Sequence, residues 1–146
     1  MIDQLDQKLQ SFNEAKQAIV PERGWINTIR TTLNMTMAQL GNKLQITRQA
    51  VKKIEESETN GTISINKLKE VARVMDLKLV YSLVPYEESI DSLIQIRAEK
   101  LAKKIVSRTN QNMILENQGI GDDKINETIK DLAYEIKREL KKSLWD

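Results

Sequence analysis

The segment from residue 36 to residue 55 constrains the fold more than any other part of this chain, because its residues suit two short helices joined by a tight turn. Its apolar residues recur at helical spacing, and they are Leu40, Leu44, Ile46, Val51 and Ile54. Thr47 follows the turn, where its hydroxyl can cap the second helix, and Gly41 supplies a small residue where the two helices approach most closely. The pattern predicts a helix-turn-helix.

The second helix of such a motif, the recognition helix, enters the major groove of DNA and presents its first turns to the bases. An arginine can bind guanine, and a glutamine adenine, through two hydrogen bonds. The side chains predicted to contact bases are Thr47, Arg48, Gln49 and Lys52. Those predicted to contact phosphates are Gln39, Lys43 and Lys53. We expect Glu55 to anchor the end of the recognition helix, and the alternative for the whole segment is a helical hairpin with a polar exterior.

Charge is distributed unevenly along the chain, although the net charge is only +2. Residues 21–85 contain ten basic and six acidic residues, residues 1–20 contain two and three, and residues 86–146 contain eleven and twelve. The positive excess therefore coincides with the predicted helix-turn-helix. An excess of this size favours a few placed phosphate contacts, doubled in a dimer, over indiscriminate binding of polyanions. A merely solvated surface is the alternative interpretation.

The composition excludes several classes of protein. The chain has no cysteine and no histidine, which excludes zinc fingers and hydrolases that use histidine as a general base. We expect no metal, no cofactor and no enzymatic activity, since no nucleophile, phosphate loop or metal cluster accompanies the acidic residues. No apolar stretch approaches the ~20 residues that cross a bilayer, and no signal peptide is visible. These features predict a cytoplasmic protein without a membrane partner.

Four segments are predicted along the chain, and they are an amphipathic helix in 1–20, the DNA-binding domain in 21–76, a dimerisation strand in 77–85 and a helical region in 86–146. In the second segment, Pro21 suits the first turn of a helix. That helix is expected to turn Trp25, Ile26, Ile29 and Leu33 inward. Asn34 can end it in a left-handed conformation, Thr36 can cap the next helix, and Ser64 can cap the last helix of the domain.

The predicted strand is short, rich in β-branched and aromatic residues, and stopped by Pro85. Its strand residues are Leu77, Leu79, Val80, Tyr81, Leu83 and Val84. Because the chain offers no second strand of comparable quality, we expect this one to pair with its copy in a second subunit across a twofold axis. A homodimer is therefore predicted. Whether the N-terminal helix packs on its own subunit or on the other one is left open by the spacing.

Two helices are predicted in the last segment. The basic residues of the first are interpreted as a solvated face, with a second DNA contact as the alternative, and they are Lys100, Lys103, Lys104 and Arg108. The helix after Asp122 carries a long apolar stripe made of Ile125, Ile129, Leu132, Ala133, Ile136, Leu140 and Leu144. Such a stripe is either core or a partner interface. The predicted fold class is mainly α, with one short strand and flanking helices at both ends.

The helix-turn-helix resembles that of the lambda-repressor-like regulators called the Xre family. The matching residues are Thr36, Leu40, Leu44, Ile46, Thr47, Val51, Ile54 and Glu55. Most of the chain is similar to the group named mobile mystery protein A, through Gly24–Arg30, Leu33–Thr36, Glu55 with Glu58, Val80–Pro85, Met113–Gln118 and Leu144–Asp146. Two departures from the usual pattern are Gln45 and Asn34, which stand where glycine is common.

This resemblance implies a DNA-binding protein encoded beside a partner with a Fic domain, as an antitoxin is beside its toxin. Antitoxins that block Fic enzymes resemble one another in a helix with Ser or Thr, three residues, and then Glu-Gly or Glu-Asn. Here the segment with Asn112, Glu116 and Asn117 comes close but lacks the hydroxyl residue. Together with Trp145, these are the candidate toxin contacts.

Two functions are therefore predicted. The first is a homodimeric, sequence-specific transcriptional regulator that represses its own operon at a palindromic operator in double-stranded DNA. The alternative is an antitoxin subunit that neutralises a Fic-domain toxin by direct contact through its C-terminal helices.

Overall fold

The computed structural model describes residues 1–115 and 121–146, and the regular structure in these ranges is helical. The α-helices are α1 (Ile2–Asn13), α2 (Trp25–Thr32), α3 (Met37–Leu44), α4 (Arg48–Thr59), α5 (Ile65–Val74), α6 (Ile90–Leu115) and α7 (Asp122–Glu139). Short 3₁₀ helices cover Glu14–Gln17 and Lys142–Trp145. The mainly helical class predicted from the sequence is confirmed.

The chain forms two compact units. The inserted unit comprises Gln17–Ser82 and contains α2 to α5, whereas the flanking unit comprises Met1–Lys16 together with Leu83–Asp146. The N-terminal helix, which the sequence predicted as a segment of its own, thus belongs with the C-terminal helices. It packs against α6 of the same chain.

The core of the inserted unit is built on the residues that carry the helical pattern of the sequence. Leu40 and Val51 are fully buried, and Val71 from α5 is 1% exposed. Ile26, Leu44 and Met75 complete the buried cluster. The apolar faces of four short helices therefore share one core, and none of these helices needs to be stable alone.

Side-chain caps set the start of three helices as predicted. Thr36 Oγ1 accepts from the Gln39 N–H at 3.0 Å, Thr47 Oγ1 from the Ala50 N–H at 3.1 Å, and Ser64 Oγ from the Lys67 N–H at 3.0 Å. Each of these bonds satisfies a donor that the helix itself leaves free.

The start of α2 differs from the prediction. Pro21 lies in a turn, in which its carbonyl accepts from the Gly24 N–H at 2.9 Å, and the helix begins only at Trp25. Trp25 is 46% exposed and Leu33 is 55% exposed, so the expectation that both point inward is wrong. In a helix of eight residues, the core covers only a narrow stripe, here centred on Ile26.

No β-strand occurs among the described residues, so the predicted strand over 77–85 is not confirmed in the single chain. The segment is neither helix nor strand, and Val80 and Tyr81 are mostly exposed. A strand forms only when a neighbouring strand completes its hydrogen bonds. The sequence predicted that this neighbour belongs to a second subunit, so the segment has no partner strand in the single chain.

In the flanking unit the two long helices α6 and α7 pack against each other along a row of small residues, which we call the seam. Ala98 and Ala102 from α6 and Ala133 from α7 are at most 1% exposed and lie in one buried cluster. Ile136 and Leu144 are also buried there, so this part of the C-terminal stripe is core. Leu140 is 41% exposed, at a left-handed position that ends α7.

The contact of α1 with α6 is partly polar. The Asp6 carboxylate accepts from the backbone N–H groups of Ile90 and Asp91 at 2.7 and 3.2 Å, which caps the start of α6. Ile2 packs on the apolar cluster of the unit. In the part of the chain that the structure describes, no helix has the length and apolar character to cross a membrane.

Candidate nucleic-acid interface

The turn between α3 and α4 brings the two helices close together. The Ile46 N–H donates to the Gly41 carbonyl at 2.9 Å, and a Cβ added at Gly41 would lie 2.8 Å from the Ile46 carbonyl oxygen. The close approach expected at Gly41 is therefore with the turn and the start of α4. Gln45 ends α3 with φ 59°, and Asn34 has φ 56° after α2, so both adopt the left-handed conformation that glycine usually supplies.

A buried ion pair holds α4 against α2. Arg30 and Glu55 are each 6% exposed, and the Arg30 guanidinium donates to both carboxylate oxygens. Arg30 also donates to the Met35 carbonyl at 2.8 Å, and the Asn27 amide donates to Glu55 at 3.3 Å. Both charges are thus hydrogen-bonded, as burial requires. The prediction that Glu55 is an anchor is confirmed.

A second carboxylate on α4 reaches the other end of α2. Glu58 accepts from the Trp25 N–H at 2.7 Å and from the Ile26 N–H at 2.9 Å. Gly24 precedes them with φ 83°, and a Cβ there would lie 2.8 Å from Glu58 Cδ. Glu58 therefore caps the N-terminus of α2 from a neighbouring helix, and Gly24 leaves the space for it.

The opposite side of α4 faces solvent. Val51 and Glu55 are buried, while the side chains predicted to contact bases are all exposed. Arg48, Gln49 and Lys52 line one shallow concave surface together with Met37 from the start of α3. The structure thus brings three of the four predicted base contacts into one surface, and Thr47 lies next to them with its hydroxyl engaged in the helix cap.

The predicted phosphate contacts lie around this surface without forming one cluster. Gln39 is exposed at the start of α3, but its side-chain oxygen accepts from the Thr36 N–H at 2.9 Å, which leaves its amide NH₂ as the donor for a phosphate. Lys43 and Lys53 are exposed. Among the described residues, no carboxylate forms an ion pair with the cations of this region, which are Lys43, Arg48, Lys52 and Lys53.

The sequence analysis missed three residues that fix this geometry, namely Asn27, Arg30 and Glu58. The available signal was the spacing of Glu55 and Glu58, which places two carboxylates on one side of a helix whose other side is basic. A carboxylate turned away from the basic face of such a helix must find its donors within the protein.

The remaining predicted site residues lie in other parts of the chain. Trp145 is 52% exposed, and the Arg97 guanidinium lies 5.6 Å from the centre of its ring. The backbone of Asn112 belongs to α6, whereas Glu116 and Asn117 lie outside the described residues. Within the described ranges, no group of three or more acidic side chains is placed to hold a metal ion.

Comparison with known proteins identifies one part of the chain. Residues 26–82 match the family model described as Helix-turn-helix. No significant match is found among curated proteins or among solved structures. The matched range begins at the second residue of α2, continues past the end of α5 and contains the exposed basic surface of α4. Residues 26–82 therefore form a helix-turn-helix domain of the Xre, or lambda-repressor-like, class, which is a class of DNA-binding regulators.

Proposed function

We propose that this protein is a sequence-specific transcriptional regulator that inserts α4 into the major groove of its operator. The observation that carries the proposal is the division of α4 into two sides. One side is held by Glu55 and Glu58, while the other presents Arg48 and Lys52 to solvent without a carboxylate partner in the described part of the chain. Cations that are not neutralised within the protein are the groups that release counterions from DNA.

Base contacts and phosphate contacts have different consequences, and this difference provides the test. The proposal assigns Arg48 to a guanine edge, so Arg48→Ala should reduce the preference for the operator over random DNA. The proposal assigns the exposed Lys53 to a phosphate, so Lys53→Ala should weaken the affinities for operator and random DNA alike and lower the salt dependence by about one ion. The measurement is a footprinting titration on DNA from upstream of the protein's own gene. If Arg48→Ala left affinity and preference unchanged, the assignment of α4 as the recognition helix would be wrong.

The proposed regulator acts as a homodimer. In the described part of the chain, the backbone of residues 78–81 makes no hydrogen bond, and the side chains of Val80 and Tyr81 are 65% and 61% exposed. A second copy of this segment would satisfy the backbone groups and cover the apolar side chains. The proposed pairing residues remain Leu77, Leu79, Val80, Tyr81, Leu83 and Val84.

Light scattering after size exclusion tests the dimer. Val80→Lys should give a monomer with a weakened affinity for the operator, because pairing of the two segments would remove water from the charged lysine. Leu33→Lys is the matched control, since Leu33 is 55% exposed in the same unit but lies outside the segment. A monomeric parent protein, or a Val80→Lys variant that is still dimeric, contradicts the proposed pairing.

A symmetric dimer requires an operator with the same symmetry. The half-sites should lie about 34 Å apart, one turn of DNA, or a multiple of this distance. An operator upstream of the protein's own gene would make the regulator an autorepressor. Removing half of the palindrome while keeping its length should lower the affinity far more than changing the spacer sequence.

A second candidate function is neutralisation of a Fic-domain toxin by contact. The observation that favours it is Trp145, a large aromatic side chain that is half exposed at the surface of the flanking unit. Ala133 and Ile136 of α7 are core residues, so deleting the C-terminal residues 122–146 would unfold the flanking unit. Trp145→Ala is the suitable test instead. Loss of neutralisation with operator binding intact supports a contact role, and full neutralisation contradicts it.

A further inference from the structure

Helix α4 is tied to α2 at two points, and both ties come from carboxylates on one side of α4. Glu55 binds the side chain of Arg30 near the end of α2, and Glu58 binds the backbone N–H groups of Trp25 and Ile26 at its start. By helix geometry, the two points lie about 4.5 Å apart along α4 and about 7.5 Å apart along α2. Apolar packing at Val51 holds α4 in the core without fixing a direction, and two separated hydrogen-bonded contacts restrict the angle between α4 and α2 more than one contact does.

We infer that Glu58 is a positioning residue for DNA recognition, which sets the orientation of α4 through its hydrogen bonds to α2. The inference rests on the proposed function, because it assigns a role in operator recognition to a residue that faces away from the DNA-binding side. Gly24 belongs to the same device, since any side chain at that position would meet the Glu58 carboxylate.

The lever arm explains why such a residue matters. Arg48 lies two turns before Glu55, about 10 Å along the helix axis. A pivot of about 5° around Glu55 would then move Arg48 by about 1 Å, which is more than a two-point hydrogen bond to a base edge tolerates. Lysine contacts to phosphates tolerate such a movement because a lysine is a flexible point charge. Losing Glu58 should therefore reduce specificity more than general affinity for DNA.

The test compares Glu58→Gln with Glu56→Gln. Both changes remove one negative charge from α4, so any general gain in attraction to DNA is the same in both. Glu56 is exposed, and among the described residues the hydrogen bonds from α2 to α4 carboxylates go to Glu55 and Glu58, not to Glu56. Glu58→Gln keeps the size of the side chain but turns an NH₂ group towards a backbone N–H, so that one of the two bonds is lost.

The readout is the ratio of affinities for operator and for random DNA of equal length. We expect this ratio to fall roughly tenfold in Glu58→Gln, as when one base contact is weakened, and to stay within about twofold of the parent value in Glu56→Gln. A merely structural role would lower the folded fraction, which changes both affinities by the same factor and leaves the ratio unchanged. Parent-like ratios in Glu58→Gln would overturn the inference.

A second variant reaches the same contact without changing the charge. Gly24→Ala places a methyl group against Glu58 and should lower the ratio in the same direction. Adding Glu58→Ala should remove the steric part of that effect, so the two changes should not be additive. Independent, additive effects of the two changes would contradict a shared contact. If the parent protein itself prefers no operator, the proposed function fails; if it prefers one and both variants keep that preference, only the inference fails.

Discussion

The two units of this protein are stabilised in different ways. In the inserted unit, short helices are held at defined angles by single polar contacts, of which the Arg30–Glu55 pair and the two bonds of Glu58 are examples. In the flanking unit, two long helices pack along a seam that includes Ala98 and Ala102. Apolar contact has no direction, whereas a hydrogen bond fixes one. The flanking unit has directional contacts too, at Asp6 and between Lys137 and Asp91, but among the described residues the buried ion pair lies in the inserted unit, between α2 and α4.

The chain offers a direct way to compare the two units, because its two tryptophans lie in different ones. Trp25 belongs to the inserted unit and Trp145 to the flanking unit, and both side chains are about half exposed, at 46% and 52%. In the background Trp145→Phe the fluorescence reports the inserted unit, and in Trp25→Phe it reports the flanking unit. Each prediction below is measured by urea unfolding in both backgrounds.

The largest effect is expected from Arg30→Met. The change leaves the buried Glu55 carboxylate with Asn27 as a weak partner, so the inserted unit should lose about 3–5 kcal/mol. The Trp25 transition should shift to lower urea. The double variant Arg30→Met with Glu55→Met should recover much of the loss, because it removes both buried charges. A double variant as unstable as the single one would show that the loss of stability comes from losing the ion pair and not from leaving Glu55 buried without a partner.

Ala102→Leu tests the seam of the flanking unit. Ala102 is fully buried between helices, so three additional carbon atoms would force α6 and α7 apart. We expect a loss of about 1–3 kcal/mol in the Trp145 transition. Lys103→Leu adds a leucine at the next position on the exposed side of α6 and serves as the control. An unchanged midpoint in Ala102→Leu would show that the seam has room that the structure does not indicate.

Helix caps are expected to contribute equally in both units. Thr47→Ala removes the cap of α4, and Asp6→Ala removes the carboxylate that α1 lends to the start of α6. Each change should cost about 1 kcal/mol, the first in the Trp25 transition and the second in the Trp145 transition. A much larger effect of Asp6→Ala would mean that α1 detaches when this single contact is lost.

The smallest effect is a gain. Gln45 is exposed and has φ 59°, a conformation that costs most residues free energy but not glycine. Gln45→Gly should stabilise the inserted unit by about 0.5 kcal/mol, the strain relieved minus the additional chain entropy of glycine. The control is Asn42→Gly within α3, where glycine should lower the stability of the inserted unit. Gln39→Gly is unsuitable as a control because it would also break the capping box. A loss of stability in Gln45→Gly would show that the glutamine side chain makes a compensating contact.

Local chemistry determined what could be predicted from the sequence. The caps at Thr36, Thr47 and Ser64 and the left-handed position at Asn34 follow from neighbouring residues alone. Contacts between residues far apart in the chain could not be deduced in this way. The bonds of Glu58 to Trp25 and Ile26 depend on how α2 and α4 pack, which the neighbours of Glu58 in the sequence do not determine.

The same distinction applies to the flanking unit. Apolar spacing predicted α1 as an amphipathic helix, yet it could not identify α6 as the partner of α1, because any apolar stripe would have served. The bond from Ile90 to Asp6 is specific, but nothing near Asp6 in the sequence indicates it.

The flanking unit is assembled from two stretches of chain with the inserted unit between them, and this order has a consequence during synthesis. The ribosome synthesises α1 before α2 to α5, and it synthesises α6, against which α1 packs, only afterwards. The inserted unit can fold before α6 is available, and until then the apolar stripe of α1 is exposed to solvent. A nascent chain stalled before α6 would therefore contain a folded helix-turn-helix domain and an α1 helix whose apolar residues are exposed. Such an exposed apolar segment is a substrate for chaperones.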